Sequence, residues 1–234
     1  MSRTTITVGL LTLCLARPVA AQPTAPPSAG LPAPPASPAT PPASAQPPRP
    51  PARPRPVQVM TLESPAWADG GLIPAAHTQS GHDVSPPLTW SGAPEGTVSF
   101  ALVVRDLDTV PPGGGDDLLQ WLVWNIPGTA TTLAAGMPEG NAAELPRGPG
   151  PAPRPAGDRP RQISATGPNY RGPAAPASGP FHHYVFEIHA LDVWLDVPAV
   201  GQSPTATRAA VLAAMAGHVR GKGVLTGRYR RPAP

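Results

Sequence analysis

From residue 57 onward the apolar positions fall into short runs broken by turn residues, the pattern of a mostly β domain. In the stretch FHHYVFEIHALD, Tyr184, Phe186, Ile188 and Ala190 alternate with Val185, Glu187, His189 and Leu191, which predicts a strand with two distinct faces. It starts no earlier than about Phe181, because residues 167–179 (GPNYRGPAAPASG) are rich in Gly and Pro and supply few ladder donors. His182, His183 and Tyr184 therefore stand where an irregular loop enters a sheet. Residues 98–104 and 118–126 (LLQWLVWNI) are almost continuously apolar and predict two buried strands, the second stopped by Pro127-Gly128. Residues 57–62 predict a first strand, 70–78 a turn and then a strand, and 224–229 a last strand or extended tail. Adjacent Pro86 and Pro87 in SPPLTW predict a rigid corner, not a central strand. A helix is predicted with Ser203 as its cap and Pro204 in its first turn; Val211, Leu212, Met215 and Val219 are its apolar side and Gly221 its end. There is no internal repeat, and one domain over 57–231 with a short tail at 232–234 is the simplest partition.

Composition changes the picture at the N-terminus. The chain has 39 Pro in 234 residues and only 13% charged residues, so part of it is not packed. Fifteen of these Pro lie in 22–56 among Ala, Ser, Thr, Gln and Arg. That segment cannot bury enough apolar surface to offset ordering and reads as a disordered, polyproline-like tether. Residues 1–21 combine Arg3, an apolar run over 6–15 and small residues up to Ala21. This is the pattern of a secretory signal peptide cut near Ala21, with a retained N-terminal anchor helix as the plainer alternative. The protein is thus expected to be exported, periplasmic or secreted, with no transmembrane segment in the mature chain. The sole cysteine, Cys14, falls in the leader behind Leu13, which is not the small residue that a lipoprotein site requires. Residues 137–162 lack periodicity and read as a loose Pro/Gly-rich insertion.

The formal net charge of +3 is misleading, because Arg3, Arg17, Arg49, Arg53 and Arg55 all precede the domain. From residue 57 onward, 12 basic and 14 acidic residues give −2. The domain has no basic footprint, and nucleic acid is not an expected partner.

Polar groups stand at the ends of the predicted strands. Asp106 and Asp108 follow the first buried strand, Gln120 enters the second, Tyr170 lies in the GPNYRGP loop, and His182 and Tyr184 enter the third. If neighbouring strand ends converge, these residues line one cleft. Each has a plainer reading too. Asp-x-Asp makes turns that bond their own backbone. Two carboxylates pointing the same way crowd each other, and one pKa rises unless a donor lies between them. His182-His183 fits a surface pair with one ring in and one out; Tyr184 fits a core position, as do Trp67, Trp90, Trp121 and Trp124. The sequence has no G-x-S-x-G, H-E-x-x-H or phosphate loop, and its Asp and His residues lack a metal-ligand spacing. Binding without metal or cofactor is expected, and a hydrolase using Asp106 and His182 as acid and base is the least favoured alternative.

The segments IPAAHT, SPPLTWSGAPEGTVSFALVVRDLD, LLQWLVWNIP and GPNYRGPAAPASGPFHHYVFEIHALD occur in this order before the terminal helix. Together they resemble the phosphatidylethanolamine-binding protein family, in its bacterial branch often labelled Raf-kinase-inhibitor-like, over roughly 62–229. The resemblance implies a large central β-sheet, a smaller sheet packed against it and a C-terminal helix, with a small cavity for anions such as phosphate head groups. It carries over Asp106 and Asp108 from the family's D-x-D segment, and His182 and Tyr184 from its H-R-Y segment. Leu107 replaces the usual Pro, His183 the usual Arg, and Gln120 a His that commonly contacts the anion. Gln donates but carries no charge, which implies weaker or altered anion preference. The resemblance thus implies a non-enzymatic binder of a phosphorylated small molecule or lipid head group. The alternative is a protein-interaction regulator with a protein partner, since relatives inhibit kinases or proteases. In the binding reading Asp106 and Asp108 orient His182 and Gln120, or receive an ammonium on the ligand.

Overall fold

The structure, a computed structural model, describes residues 56–110, 117–140, 160–198 and 203–233. The leader, the tether to residue 55 and residues 141–159 of the expected insertion lie outside the described residues. In chain order the elements are β1 (Gln58–Val59), β2 (Thr61–Glu63), β3 (Gly71–Leu72), a 3-10 turn (Ala75–His77), β4 (Leu88–Ser91), β5 (Ser99–Asp106), β6 (Leu118–Pro127), β7 (Thr132–Leu133), β8 (Arg161–Ile163), β9 (His182–Leu191), α1 (Pro204–Met215) and β10 (Val219–Tyr229).

The three strands most strongly marked by apolar pattern, β5, β6 and β9, lie at the centre of a seven-stranded sheet ordered β1-β10-β9-β5-β6-β8. β3 joins β1 on the outer edge of β10, both parallel to it. A second sheet, β2-β4-β7, is antiparallel and three-stranded. The period-2 alternation of β9 decides where each face goes. Tyr184, Phe186, Ile188 and Ala190 join Phe100, Leu102, Val104 and Trp121 in a core shared with Leu62, Leu88 and Trp90 of the small sheet. On the other face Ala101, Val103, Leu122 and Trp124 pack with Leu195, Val197 and the α1 residues Val211 and Met215. Removing each large side chain from water contributes roughly 1.5–3 kcal/mol.

Several local expectations are corrected. Residues 57–62 form two strands, because the chain leaves the large sheet after Val59 and enters the small one at Thr61; buried Met60 is the crossing point. Of 70–78, only β3 is strand, and Pro74 then precedes the 3-10 turn. Pro86 and Pro87 lie outside the ladder, so β4 begins directly after them and is the middle strand of the small sheet. Gln162 is not in a loose loop: it is buried in edge strand β8, accepts from Trp121 Nε1 at 2.9 Å and donates to the Pro138 carbonyl. Ser203 does cap α1, its hydroxyl accepting from Ala206 N–H at 3.2 Å. The helix ends at Met215, however, and the left-handed residue Gly217 (φ 79°) reverses the chain. Val219 and Gly221 consequently belong to β10, and Leu212 is exposed.

The face covered by α1 also carries charge. Arg105 bonds both Asp117 (2.9 Å) and Glu187 (2.6 Å), Arg208 bonds Asp117, and Lys222 bonds Glu187. Burial beside this network lowers the His189 pKa from 6.5 to about 4; Lys222 and Arg105 add to the shift and Glu187 opposes it. Unfolded chains take up a proton at His189 below pH 6.5 and the folded protein does so only near 4. Stability from this group is therefore complete above pH 6.5 and is lost as pH falls from 6.5 to 4. A decline of about 1–3 kcal/mol is expected over that interval by urea unfolding. His189→Gln should flatten it; an equally steep decline in the variant would show that another group is responsible.

Candidate functional site

β5 and β9 are antiparallel neighbours whose register sets Asp106 directly opposite Tyr184, so one end of the central pair carries both side chains on the same face. His182 lies on that face as well, two residues before Tyr184. β9 cannot start sooner because Gly179 (φ 138°) and Pro180 precede it.

Asp106 is 2% exposed and fully engaged. One carboxylate oxygen, Oδ1, accepts from the Asp108 N–H at 2.9 Å, and Oδ2 accepts from the Thr109 hydroxyl at 2.9 Å. His182 Nδ1 lies 3.0 Å from Oδ2 and 3.2 Å from the Thr109 hydroxyl. Facing a carboxylate, Nδ1 is assigned the proton, which leaves Nε2 on the far side of the ring. The Tyr184 hydroxyl accepts from the Ala174 N–H at 3.3 Å. Burial first, and the nearby Asp106 charge second, raise its pKa far above the ordinary phenol value, so it stays neutral.

Asp108 turns the other way. It accepts from the His183 N–H at 2.6 Å, and its Oδ2 lies 3.0 Å from His183 Nδ1 at the exposed rim. Burial alone would raise its pKa, but the His183 hydrogen bonds and the charges of His183 and His182 bring it below the usual value. The expected crowding of the two carboxylates is thus absent. The Asp108 N–H is itself the donor to Asp106, and the second carboxyl group has its own partner outside.

Gln120 and Tyr170 serve the loop above. Gln120 is 2% exposed, and its surroundings assign the amide orientation in which the nitrogen donates to the carbonyls of Arg171 (2.9 Å) and Gly172 (3.2 Å). The Tyr170 hydroxyl donates to the His77 carbonyl at 2.8 Å, and its ring meets Trp121 edge-on at 5.2 Å. Burial raises the Tyr170 pKa well above normal, with the Asp83 charge adding to it. Both side chains fasten the GPNYRGP loop through backbone carbonyls, and neither Asp106 nor Asp108 orients Gln120. The structure therefore gathers Asp106, His182 and Tyr184, places Asp108 with His183 on the rim, and commits Gln120 and Tyr170 to the loop.

Two residues of this neighbourhood escape the sequence reading. Thr109 bridges Asp106 and His182; its only signal is its place three residues after Asp106, where turns commonly use a hydroxyl. Asp83, at φ 53°, accepts from the Gly172 N–H at 2.7 Å from 89 residues away, and burial raises its pKa. Nothing local announces that partner.

A hollow of about 620 Å³ lies between Met60–Asp69, Thr89 and β10, and one of about 250 Å³ lies under α1. The cluster is outside both, and convergent polar chemistry distinguishes it instead. Among the described residues no group of three or more His, Cys, Asp or Glu is placed to hold a metal ion, and no helix is long and apolar enough to cross a membrane.

Fold and cluster define a class: β proteins with a large and a small sheet, in which paired central strands end in a buried Asp, His and Tyr beneath a Gly/Pro-rich loop. The chain belongs to the phosphatidylethanolamine-binding protein family, whose model matches residues 63–230. It is 36% identical over 178 residues to a UPF0098 protein of Methanothermobacter thermautotrophicus, covering 74% of this chain and 99% of that one. A Mycobacterium tuberculosis protein whose name, LppC, classes it among lipoproteins is 34% identical over 171 residues, 73% of this chain and 72% of its own. Among solved structures, Escherichia coli YbcL, described as a member of the mammalian PEBP family, has a TM-score of 0.57 and 27% identity over 74% of this chain and 98% of its own. The Chlamydia trachomatis PEBP homologue CT736 has a TM-score of 0.56 and 28% identity over 74% and 99%.

Proposed function

We propose that this protein is an exported, non-enzymatic binder of a small phosphorylated ligand, free or as a phospholipid head group, at the Asp106, His182 and Tyr184 cluster. The setting of His182 supports this reading most. Its side chain is 14% exposed, Nδ1 faces the buried Asp106 carboxylate, and Nε2 has no partner among the described residues. Protonated His182 presents an N–H to an arriving anion with its own counter-charge behind it, so charges alternate from Asp106 through the ring to the ligand. Asp106 positions the ring and does not meet the anion. An ammonium on the same ligand finds Asp108 at the rim. Leu107, Val110 and Phe181 are exposed beside the cluster, a rim suited to the apolar part of a lipid. The same rim favours a second reading, contact with a protein partner. Export is supported by the leader pattern in residues 1–21 and by the name of the LppC relative.

Titrating the full chain with phosphorylethanolamine and with inorganic phosphate tests the reading. Trp fluorescence is the readout, because Trp121 packs against Tyr170 of the loop whose Ala174 N–H meets the Tyr184 hydroxyl. A saturable change is expected, weakened about tenfold or more by His182→Ala. No response, or one that His182→Ala leaves unaltered, would sink the assignment. Turnover of a phosphoester panel that vanishes with Asp106→Asn would replace it by the hydrolase reading.

A further inference from the structure

The sheet face opposite the His182 cluster carries the hollow of about 250 Å³, between β5, β9 and α1. Val103, Leu212 and Met215 give it apolar walls, and Arg105, Arg208, His189 and the Glu187 carboxylate, itself held by Arg105 and Lys222, give it polar ones. The ion pairs beside it are unequal in number. Both oxygens of Asp117 are taken, by Arg105 and Arg208, and both oxygens of Glu187 by Arg105 and Lys222. Among the described residues three cations thus face two carboxylates, and these carboxylates have no oxygen left without a cation.

Donors remain over. Arg105 Nε and His189 Nδ1 are buried without hydrogen-bond partners among the described residues, and Arg208 has one guanidinium nitrogen engaged by Asp117. Buried polar atoms without partners are rare, and each calls for an explanation. Burial keeps His189 uncharged near neutral pH, so the ring offers an N–H and no further charge. The missing component is an acceptor carrying one negative charge. A planar carboxylate matches a guanidinium fork. A dianion would place uncompensated charge against the apolar walls, which is costly.

We propose that this hollow is a second ligand site, which binds a small monocarboxylate with an apolar body. The carboxylate sits on Arg105, Arg208 and His189, and the body lies against Val103, Leu212 and Met215. The site is independent of the phosphate reading, since it lies on the other face of the sheet and shares no residue with that cluster.

Benzoate is the probe, with benzyl alcohol as its uncharged counterpart, added to the full chain labelled at Met methyl groups and His ring nitrogens for NMR. Saturable shifts of the Met215 methyl and His189 ring signals are expected with benzoate, and benzyl alcohol should bind about tenfold more weakly or worse. Leu212 is 41% exposed, so Leu212→Glu should fold normally while setting a carboxylate at the wall and weakening benzoate about tenfold or more. Arg208→Gln should weaken it similarly. Equal binding of the alcohol, unchanged benzoate affinity in folded Leu212→Glu, no saturable response at Met215 and His189, or shifts confined to His182 would each overturn the proposal.

Discussion

Asp106→Ala is expected to lower stability by about 2–4 kcal/mol, while Asp106→Asn lowers it by about 1 kcal/mol yet weakens phosphorylethanolamine binding about tenfold or more. The difference follows from what the carboxylate holds. Removing it leaves the Asp108 N–H, the Thr109 hydroxyl and His182 Nδ1 facing a gap where two oxygens accepted from them. A buried donor without an acceptor is destabilising by its full desolvation cost, and three are affected. Asparagine keeps the shape: its oxygen still accepts from the Asp108 N–H and the Thr109 hydroxyl rotates to accept from the new amide, but the amide nitrogen, a donor, now faces His182 Nδ1. What asparagine cannot restore is the negative charge behind His182. The imidazolium loses its counter-ion, and the anion loses the cation that should receive it. Urea unfolding and the fluorescence titration measure the two effects separately. Wild-type binding by folded Asp106→Asn would mean that the Asp106 charge has no part in holding the ligand.

The legible and illegible parts of this molecule divide by the range over which the controlling contact acts. The strands β5 and β6 are visible because their side chains face core on both sides, and no neighbour is needed to see a nearly unbroken apolar run; β9 is visible from its period-2 alternation. The Ser203 cap is visible because its acceptor and donor lie three residues apart. Tyr184 facing inward and His183 facing outward follow from period-2 alternation alone. The division of 57–62 between two sheets is invisible because each piece is defined by a distant partner, Gly221 for Gln58 and Trp90 for Leu62. The local pattern sets the helix end at Gly221 as readily as at Gly217, because both offer the same signal, and only the pairing of β10 with β9 distinguishes them. At the site, ordered family segments gave the identities of Asp106, His182 and Tyr184. Their roles depend on hydrogen bonds that no spacing encodes, such as Thr109 between Asp106 and His182. Gln120 reads from the sequence as an uncharged ligand contact, whereas its amide is directed at the loop carbonyls.

Gly172→Ala should cost about 2–4 kcal/mol and remove ligand binding with it, although alanine is the smallest side chain that can be added. A Cβ at this position would stand 2.4 Å from the His77 carbonyl oxygen, 2.6 Å from Asp83 Oδ1 and 3.0 Å from Thr78 Cα. Two of these are backbone atoms beside the 3-10 turn and cannot rotate aside, so either the loop or the turn must move. Glycine is required here for close approach and not for a left-handed φ. The loop has little freedom to move, since the Gly172 N–H is held by Asp83, its carbonyl by Gln79 Nε2 at 2.7 Å and by Gln120, and Pro173 accepts from the Gln79 N–H. Outward displacement breaks this set and carries away the Ala174 N–H, two residues on, that meets the Tyr184 hydroxyl. Steric pressure at Gly172 therefore reaches the cluster through the backbone without touching Asp106 or His182. Ser178→Ala, in the same loop but exposed, is the control and should unfold and bind as the parent does. A Gly172→Ala protein with parental urea midpoint and parental phosphorylethanolamine affinity would show that the loop is not clamped against the 3-10 turn as these distances require.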